Sequence, residues 1–569
     1  MKKRAHFPDA YTYTILLRGL SENAHLSGSL SKALSIYHSL SAPNSRVEPS
    51  IIHTNAALRV CARSLDMDAL WGIAGRVPER GPGAANAITY LTVINATRQS
   101  LLLNSPKGET VEQAAARKDR GLVEARRIWE GIVVRWRRAE LVIDEMLVCA
   151  MGRLLLIGSR PRDWDDILSL IEQTMDIPRF VPRLGTKERQ LAGVPRLRAP
   201  HVPIDHRFDD THLSPDDMGM RGDEFLSLKE QGRPLSYVQP SAITLSLIQE
   251  ACLKTVASKA SQQYWDLLTD PDSYNVAPDM ECYHMRLRNI RQARASSQAV
   301  KVLQEMVDLG ITPRTGTYRI AMSACARDKN NHNSLNHASQ ILDMMTKLQE
   351  DVDPKTVTMF AELAIASPLA TGPDLVEALT RLNAMVNNIR LQLSVGGQRH
   401  GQGGVGAVYL SGQARQDAIK ALSKTHGVYD RLVFSTLIEE SEKAPFKQAR
   451  ARLSAFVRRI IHKDNGKKRP LKDALDQEGG GEEPRSHDGL KDDSGKTRPL
   501  KDALSQEGGG KEPRSHDGLK NNSGVRAESK FRVVRPLREV KKYVRPNKPR
   551  RWVLKKQALQ ASATQSSTL

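Results

Sequence analysis

One arrangement of residues recurs along the chain: a small residue, a β-branched or basic one three positions on, a large one at four and an apolar one at seven. It reads Ala33, Ile36, Tyr37, Leu40; Ala125, Ile128, Trp129, Ile132; Ala299, Val302, Leu303, Met306; and Ala338, Ile341, Leu342, Met345. A weaker copy runs Ala378, Arg381, Leu382, Met385. This spacing puts the side chains on one face of a helix, with alanine where a neighbouring helix must approach closely.

Ahead of several copies stand segments of another kind, from Tyr11 to Leu17, Ile88 to Ile94 and Thr317 to Met322. Their Tyr and Thr content suits strands, but apolar positions such as Tyr318, Ala321, Met322 and Cys325 keep helical spacing. They are expected to be the first helices of pairs whose second helices carry the alanine pattern. Proline closes several units, at Pro49, Pro240, Pro278, Pro313 and Pro354, where a missing N–H costs least. From Pro278 to Pro313, and from Tyr283 to Tyr318, is one unit of roughly 35 residues. Longer units carry turn insertions such as Lys329 to Asn333. The expected fold class is all-α, a helix-turn-helix repeat solenoid of about seven or eight units between Asp9 and Val395.

Composition agrees and adds a partner. Hydrophobic residues make up 40% of the 569, enough for a packed core, while aromatics at 5% suit stacked helices better than a β-sandwich. A formal charge of +21 is costly in self-repulsion unless a polyanion neutralises it, which points to nucleic acid or an anionic surface. Cys61, Cys149, Cys252, Cys282 and Cys325 are far apart and odd in number, so neither a disulfide framework nor a zinc site is expected. That usage suits a reducing compartment. No apolar run is long enough to span a bilayer. The basic start, Met1 to Pro8, is too short for an amphipathic transit peptide.

The best copy, Ala299 to Arg314, runs Ala-Val-Lys-Val-Leu-Gln-Glu-Met-Val-Asp-Leu-Gly-Ile-Thr-Pro-Arg. With the Thr-Tyr first helices it resembles pentatricopeptide repeat proteins, whose unit opens V-T-Y-N-x-L-I, continues A-x-x-L-F-x-x-M and closes G-I-x-P-D. Tetratricopeptide repeats want a Trp-x-x-Leu-Gly-x-x-Tyr first helix, which no unit shows. Segments Val148 to Leu156, Arg162 to Asp166 and Ile177 to Gly185 are similar to the fungal branch of mitochondrial members that process small-subunit ribosomal RNA.

The expected organisation is amino-terminal repeats over 9–176, an inserted excursion and loop over 177–238, central repeats over 239–395, a Gly-rich loop over 396–412 and terminal helices over 413–462. Over 463–524 a duplication follows, Arg469 to Leu475 returning as Arg498 to Leu504, too poor in apolar residues to order. The tail, 525–569, interleaves basic residues with Phe531, Tyr543 and Trp552, a composition for phosphate contact and base stacking.

Motifs for catalysis fail on inspection. Gly401 to Gly406 spells GxGxxG with no strand before it, and no GxxxxGK[ST] occurs. Ser486-His487-Asp488 and Ser515-His516-Asp517 are adjacent residues that cannot orient a triad. Asp163, Asp165 and Asp166 read as an acidic helix start rather than a metal site. No catalytic residue, metal or cofactor is expected.

The resemblance implies that first helices line a concave surface and that one base per unit is read by the fifth and the last residue. In this chain those positions pair Thr14 with Ser50, Asn55 with Asn86, Leu91 with Asp144, Ser246 with Asp279, His284 with Arg314, and Arg319 with Lys355. Base readout is assigned to Thr14, Ser50, Asn55, Asn86, Ser246 and Asp279, with Asn55–Asn86 a pyrimidine reader and Ser246–Asp279 a purine reader. Phosphate or general contact is assigned to His284, Arg286, Arg314, Arg319, Lys355, Arg550 and Arg551, strengthened by Arg288, Arg291 and Arg294 in one unit. The implied function is a non-catalytic mitochondrial factor that binds single-stranded RNA, a ribosomal RNA precursor, and guides 5′-end maturation of small-subunit ribosomal RNA or intron splicing, with the mitochondrial small ribosomal subunit as partner. The competing reading is a structural mitoribosomal subunit or a protein-docking helical scaffold.

Overall fold

In the computed structural model each alanine pattern lies on the second helix of a pair, and each Thr-Tyr segment is helical. The structure describes residues 7–81, 83–184, 186–192, 197, 236–348, 352–394 and 412–466. The chain divides into two units, Met1–Gln477 and Glu478–Leu569, and all described residues belong to the first. The Gly-rich loop up to residue 411, most of the insertion after residue 192, the duplication from residue 467 and the tail with Arg550 and Arg551 lie outside the described residues.

The described residues are all helical in regular structure. First helices are α1 (Ala10–Glu22), α3 (Ile51–Arg63), α5 (Ala87–Leu103) and α7 (Glu145–Leu156), alternating with second helices α2 (Ser29–Leu40), α4 (Met67–Ala74), α6 (Val111–Arg137) and α8 (Pro161–Met175). After a short α9 (Lys187–Leu191) the alternation resumes. First helices α10 (Ala242–Lys254), α12 (Met280–Ala293), α14 (Thr315–Arg327), α16 (Pro354–Ala366) and α18 (Gly412–Phe434) alternate with α11 (Ser258–Thr269), α13 (Ser296–Asp308), α15 (Ser334–Leu348), α17 (Gly372–Ser394) and α19 (Ala444–Gly466). Among the described residues eight pairs precede residue 395 and a ninth, α18 with α19, follows.

Each first helix packs on the next, and α10 packs directly on α7 and α8, so the stack continues across the insertion. Gly152 of α7 shows how closely: a Cβ there would stand 2.5 Å from Leu247 Cδ2 of α10. The alanines of the pattern, Ala33, Ala125, Ala299, Ala338 and Ala378, are all buried. One second helix escaped the pattern because serine takes the small position: Ser261, Tyr264, Trp265 and Leu268 of α11 are all buried.

The acidic cluster on α8 is more than a helix start. Arg126 of α6 donates to Asp163 at 2.8 Å and Asp166 at 2.6 Å, and all three are buried. Burial pushes the Asp163 carboxyl up while the Arg126 guanidinium draws it down. Asp165 binds Arg179, stands 3.6 Å from Arg189, and accepts the Leu184 backbone N–H at 3.2 Å. The first part of the insertion is therefore folded over α8 on a buried carboxylate. It also reaches α11, where Tyr264 Oη accepts the Phe180 N–H at 3.0 Å.

All five cysteines are buried free thiols, and desolvation raises each, to about 11 for Cys61 and Cys149 and to about 12 for Cys252, Cys282 and Cys325. They serve as small core residues. No helix among the described residues is long and apolar enough to cross a membrane.

Removing Asp165 strands a buried guanidinium. Asp165→Ala is expected to cost about 3–5 kcal/mol locally, through the loss of the Arg179 partner. Limited proteolysis should then cut between Ile177 and Leu191 well before the helical stack is lost; unchanged protection there would show that the carboxylate does not hold the segment.

Candidate nucleic-acid interface

The amino end of each first helix sets a register. The cap residue is Asp9 for α1, Ser50 for α3, Asn86 for α5, Asp144 for α7, Ser241 for α10, Asp279 for α12, Arg314 for α14 and Asp353 for α16. Short polar side chains suit this position because their oxygens accept orphan N–H groups of the first turn. Asp9 takes the Thr12 N–H at 2.8 Å, Asp144 that of Leu147 at 2.8 Å, Asp279 that of Cys282 at 2.9 Å and Asp353 that of Thr356 at 3.0 Å.

Counting five from each cap reaches Thr14, Asn55, Leu91, Cys149, Ser246, His284, Arg319 and Thr358. Four of these, Asn55, Cys149, His284 and Arg319, meet the start of the following first helix. Asn55 Nδ2 donates to Asn86 Oδ1 at 3.1 Å, and Asn55 Oδ1 accepts the Thr89 hydroxyl at 2.7 Å. His284 Nε2 lies 2.9 Å from Thr317 Oγ1, which also accepts the Arg314 N–H. Arg319 grips Asp353 with two bonds, at 2.8 and 2.5 Å.

This geometry corrects two assignments and adds one. Lys355 does not close its unit: Pro354 is the first helical residue, so the cap is Asp353 and Lys355 sits within α16, 3.3 Å from Asp417. Arg286 points into the second-helix layer, its guanidinium 4.2 Å from the Trp265 ring centroid and 2.9 Å from Glu305, which leaves little for a phosphate. The unit of α7 and α8, skipped in the sequence reading, pairs Cys149 with Ser241, and Cys149 is buried with its Sγ 3.6 Å from Thr244 Oγ1.

Other register residues are engaged locally. The Thr14 hydroxyl donates to the Ala10 carbonyl at 3.0 Å, and Ser50 Oγ lies 2.9 Å from His53 Nδ1. His53 Nε2 lies 2.9 Å from the Ala10 carbonyl, so it carries the proton and ties α3 to α1. Asn86 Oδ1 accepts the Thr89 N–H and the Asn55 amide, so its own amide hydrogens remain as donors. Ser246 and Leu91 are half-buried.

Two further rows share this helix face. Two residues after the cap stand Tyr11, Ile52, Ile88 and Met146, exposed by 79%, 61%, 46% and 45% although large and apolar. They lie one turn from the register residues, and Glu281, Gly316 and Lys355 replace them in α12, α14 and α16. Nine to thirteen residues after the cap come Arg59, Arg98, Arg153, Lys254, Arg288, Arg291 and Arg327. Spacing of two, five, nine and twelve or thirteen is helical, so one face carries apolar, polar and cationic rows in turn.

The cationic row is under strain. Desolvation lowers the Arg291 guanidinium from its usual range, and Arg327 and Arg288 lower it further. Its Nε is buried with no hydrogen-bond partner. Arg288 keeps a 3.4 Å contact with Glu281, whereas Arg59, Arg98, Arg153, Lys254, Arg291 and Arg327 have no ion pair among the described residues. Burial raises the Glu250 carboxyl, with Lys254, Arg288 and Arg153 acting against it, so one acid lies among these cations. Sequence reading found Arg288 and Arg291 as a crowd but not the row, because its members are spread over six helices.

No protein-family model matches the chain. A curated relative, pentatricopeptide repeat-containing protein 2, mitochondrial, from Schizosaccharomyces pombe, is 19% identical over 356 residues, covering 62% of this chain and 68% of that protein. Among solved structures, the pentatricopeptide repeat protein PPR10 from maize is 13% identical and covers 81% of this chain with a TM-score of 0.33. PPR10 in complex with an 18-nt psaJ RNA element gives the same identity and coverage with a TM-score of 0.26. This chain spans 56% and 57% of those two structures.

Arg291→Met should relieve the crowding. The expected gain is about 0.5 kcal/mol at low salt, from loss of like-charge neighbours. It should fade as salt screens the remaining charges. Thermal unfolding at two salt concentrations checks this, and an unchanged or lower melting temperature at low salt would show that the cations do not oppose one another.

Proposed function

We propose that this chain, which belongs to the pentatricopeptide repeat family, is a mitochondrial factor that grips single-stranded RNA along its first-helix face and guides processing of an RNA precursor. The observation that carries the reading is the row of cations, six of them in no ion pair among the described residues, running beside exposed apolar side chains. Cations held apart from carboxylates are what a phosphate backbone neutralises, and exposed apolar faces one helical turn away are what unpaired bases cover. The location follows the mitochondrial relative in S. pombe.

Sequence choice would be uneven. Asn55 with Asn86 presents amide donors for the carbonyl oxygens of a pyrimidine, and Ser246 with Asp279 presents acceptors suited to a purine. Thr14 and Ser50 form a weaker reader at the first unit. Leu91 and buried Cys149 offer a base nothing, and Arg319 must leave Asp353 before it meets RNA. The target we favour is the small-subunit ribosomal RNA precursor or a spliced intron, on the resemblance of Val148 to Leu156 and Arg162 to Asp166. We read the chain as a binder, since Asp163, Asp165 and Asp166 face arginines and have no charge to spare for a metal ion.

Filter binding of single-stranded RNA against salt tests the reading. With six unpaired cations engaged, affinity should fall on the order of a few hundredfold between roughly 50 and 200 mM salt. Weak, salt-insensitive binding would sink the proposal. Within that assay, exchanging Asn55 and Asn86 should alter preference at one base, and a uniform loss across sequences would refute their role as a reader.

Glu250 gives a second test with a defined sign. Its carboxyl titrates above the ordinary range, beside Arg153, Lys254, Arg288 and Glu281. As pH falls through that raised value one negative charge among the cations is lost, so RNA affinity should rise. Glu250→Gln should bind severalfold more tightly at neutral pH, a gain of roughly one screened charge contact, and lose this pH response. A response that persists in the variant assigns it to another group.

A further inference from the structure

At two neighbouring units the fifth residue is ill suited to read a base, being Leu91 in one and buried Cys149 in the other. At the other end of the same first helices is a cavity of about 490 Å³, lined among others by Arg98, Lys118, Arg153, Trp164, Glu250 and Lys254. Its volume lies within the ~300–1,000 Å³ range of small-molecule sites.

The cavity is built, and its charge is left over. Helix α6 has 27 residues where α11 has 12 and α13 has 13, and Lys118 arrives on its extra amino-terminal turns. Those turns are fixed by ion pairs, Arg117 with Glu109 at 2.8 Å and Asp119 with Arg160 at 2.6 Å. Among the described residues the four cations that line the cavity take part in no ion pair, and Arg98 Nε is buried without a hydrogen-bond partner. Trp164 is half-buried, its ring fixed by a 3.0 Å bond from Nε1 to the Gly158 carbonyl. The Lys254 ammonium stands 5.4 Å from the ring centroid, near the outer limit of a cation–π contact.

Four cations against one carboxylate call for an anion, and an aromatic ring beside them calls for a planar group attached to it. We propose that this cavity takes one whole nucleotide of the bound RNA, turned away from the register edge, with its base against Trp164 and its phosphate between Arg98, Lys118 and Arg153. The inference rests on the reading that this face binds single-stranded RNA. It gives the two units that read nothing a different task, anchoring the strand between the readers at Asn55–Asn86 and Ser246–Asp279.

The test uses the full chain and a random-sequence single-stranded RNA pool carrying 4-thiouridine, photocrosslinked and mapped by peptide. A crosslink to the Trp164 peptide is expected, with a roughly tenfold loss of affinity in Trp164→Leu, the loss of one stacked base. Trp164→Phe, which keeps a ring, should stay near the starting affinity. Lys118→Ala, on a partly exposed turn, should lower the salt slope by about one contact. Full affinity in both Trp164→Leu and Lys118→Ala, with crosslinks confined to the register edge, overturns the pocket and leaves RNA binding standing. A loss in Lys118→Ala alone reduces the site to a phosphate contact and overturns it as a nucleotide pocket. No RNA binding by the unsubstituted chain overturns both readings.

Discussion

First helices stack directly on first helices, and each begins at a residue that caps it and also ends the unit before. That double duty constrains the rest. A short polar side chain best supplies the oxygen that satisfies a first-turn N–H, so most unit boundaries carry a residue such as Asn86, Asp144 or Asp279, with Arg314 the exception. The residue five beyond the previous cap is carried to the same place by helix geometry. Contacts between Asn55 and Asn86, and between Arg319 and Asp353, follow from stacking capped helices and need no other device.

Charge is distributed unevenly over the two layers. On the second-helix side arginines find acids, as Arg126 does at Asp163 and Asp166, Arg286 at Glu305 and Arg381 at Asp343. On the first-helix face the row from Arg59 to Arg327, Arg288 with Glu281 apart, forms no ion pair among the described residues, and desolvation lowers Arg291, with Arg327 and Arg288 adding to it. Both kinds of arginine come from one short sequence in α12, where Arg286 and Arg291 are five residues apart and so nearly opposite on the helix. A protein selected only for stability would pair or remove the unpaired set. Their persistence fits a face completed by an anion, as functional sites commonly give up stability for the ligand they await.

The repeat was legible because its signal is local: alanine with large residues at three, four and seven fits within one helix, and the buried Ala299, Val302, Leu303 and Met306 follow it residue by residue. Serine in place of alanine hid α11, and the insertion hid the pairing of Cys149 with Ser241, since the two are neighbours only after α10 returns to α7. Lys355 was misplaced by two because a proline marks a helix start without saying whether it precedes the cap or follows it; here Asp353 caps and Pro354 is already helical. The cationic row and the Asp165 anchor were beyond reach for one reason. The row joins residues from six helices and the anchor folds the segment after α8 back onto it, and sequence spacing carries no sign of which elements stand together.

The insertion shows how such a stack tolerates interruption. Because α10 contacts α7 and α8 directly, the first-helix layer loses nothing when the chain leaves after Met175, provided that the departing segment does not stand between them. The Arg179–Asp165 pair and the Phe180–Tyr264 contact, ring centroids 4.8 Å apart, draw it over α8 and α11 instead. Gly152 against Leu247 then lets α7 and α10 close without a side chain between. The same closure brings Arg153 of α7 and Lys254 of α10 to the cavity that Trp164 of α8 and Lys118 of α6 complete. A cavity with four cations therefore forms where the chain is most interrupted, because buried ion pairs and one glycine allow two units distant in sequence to meet there.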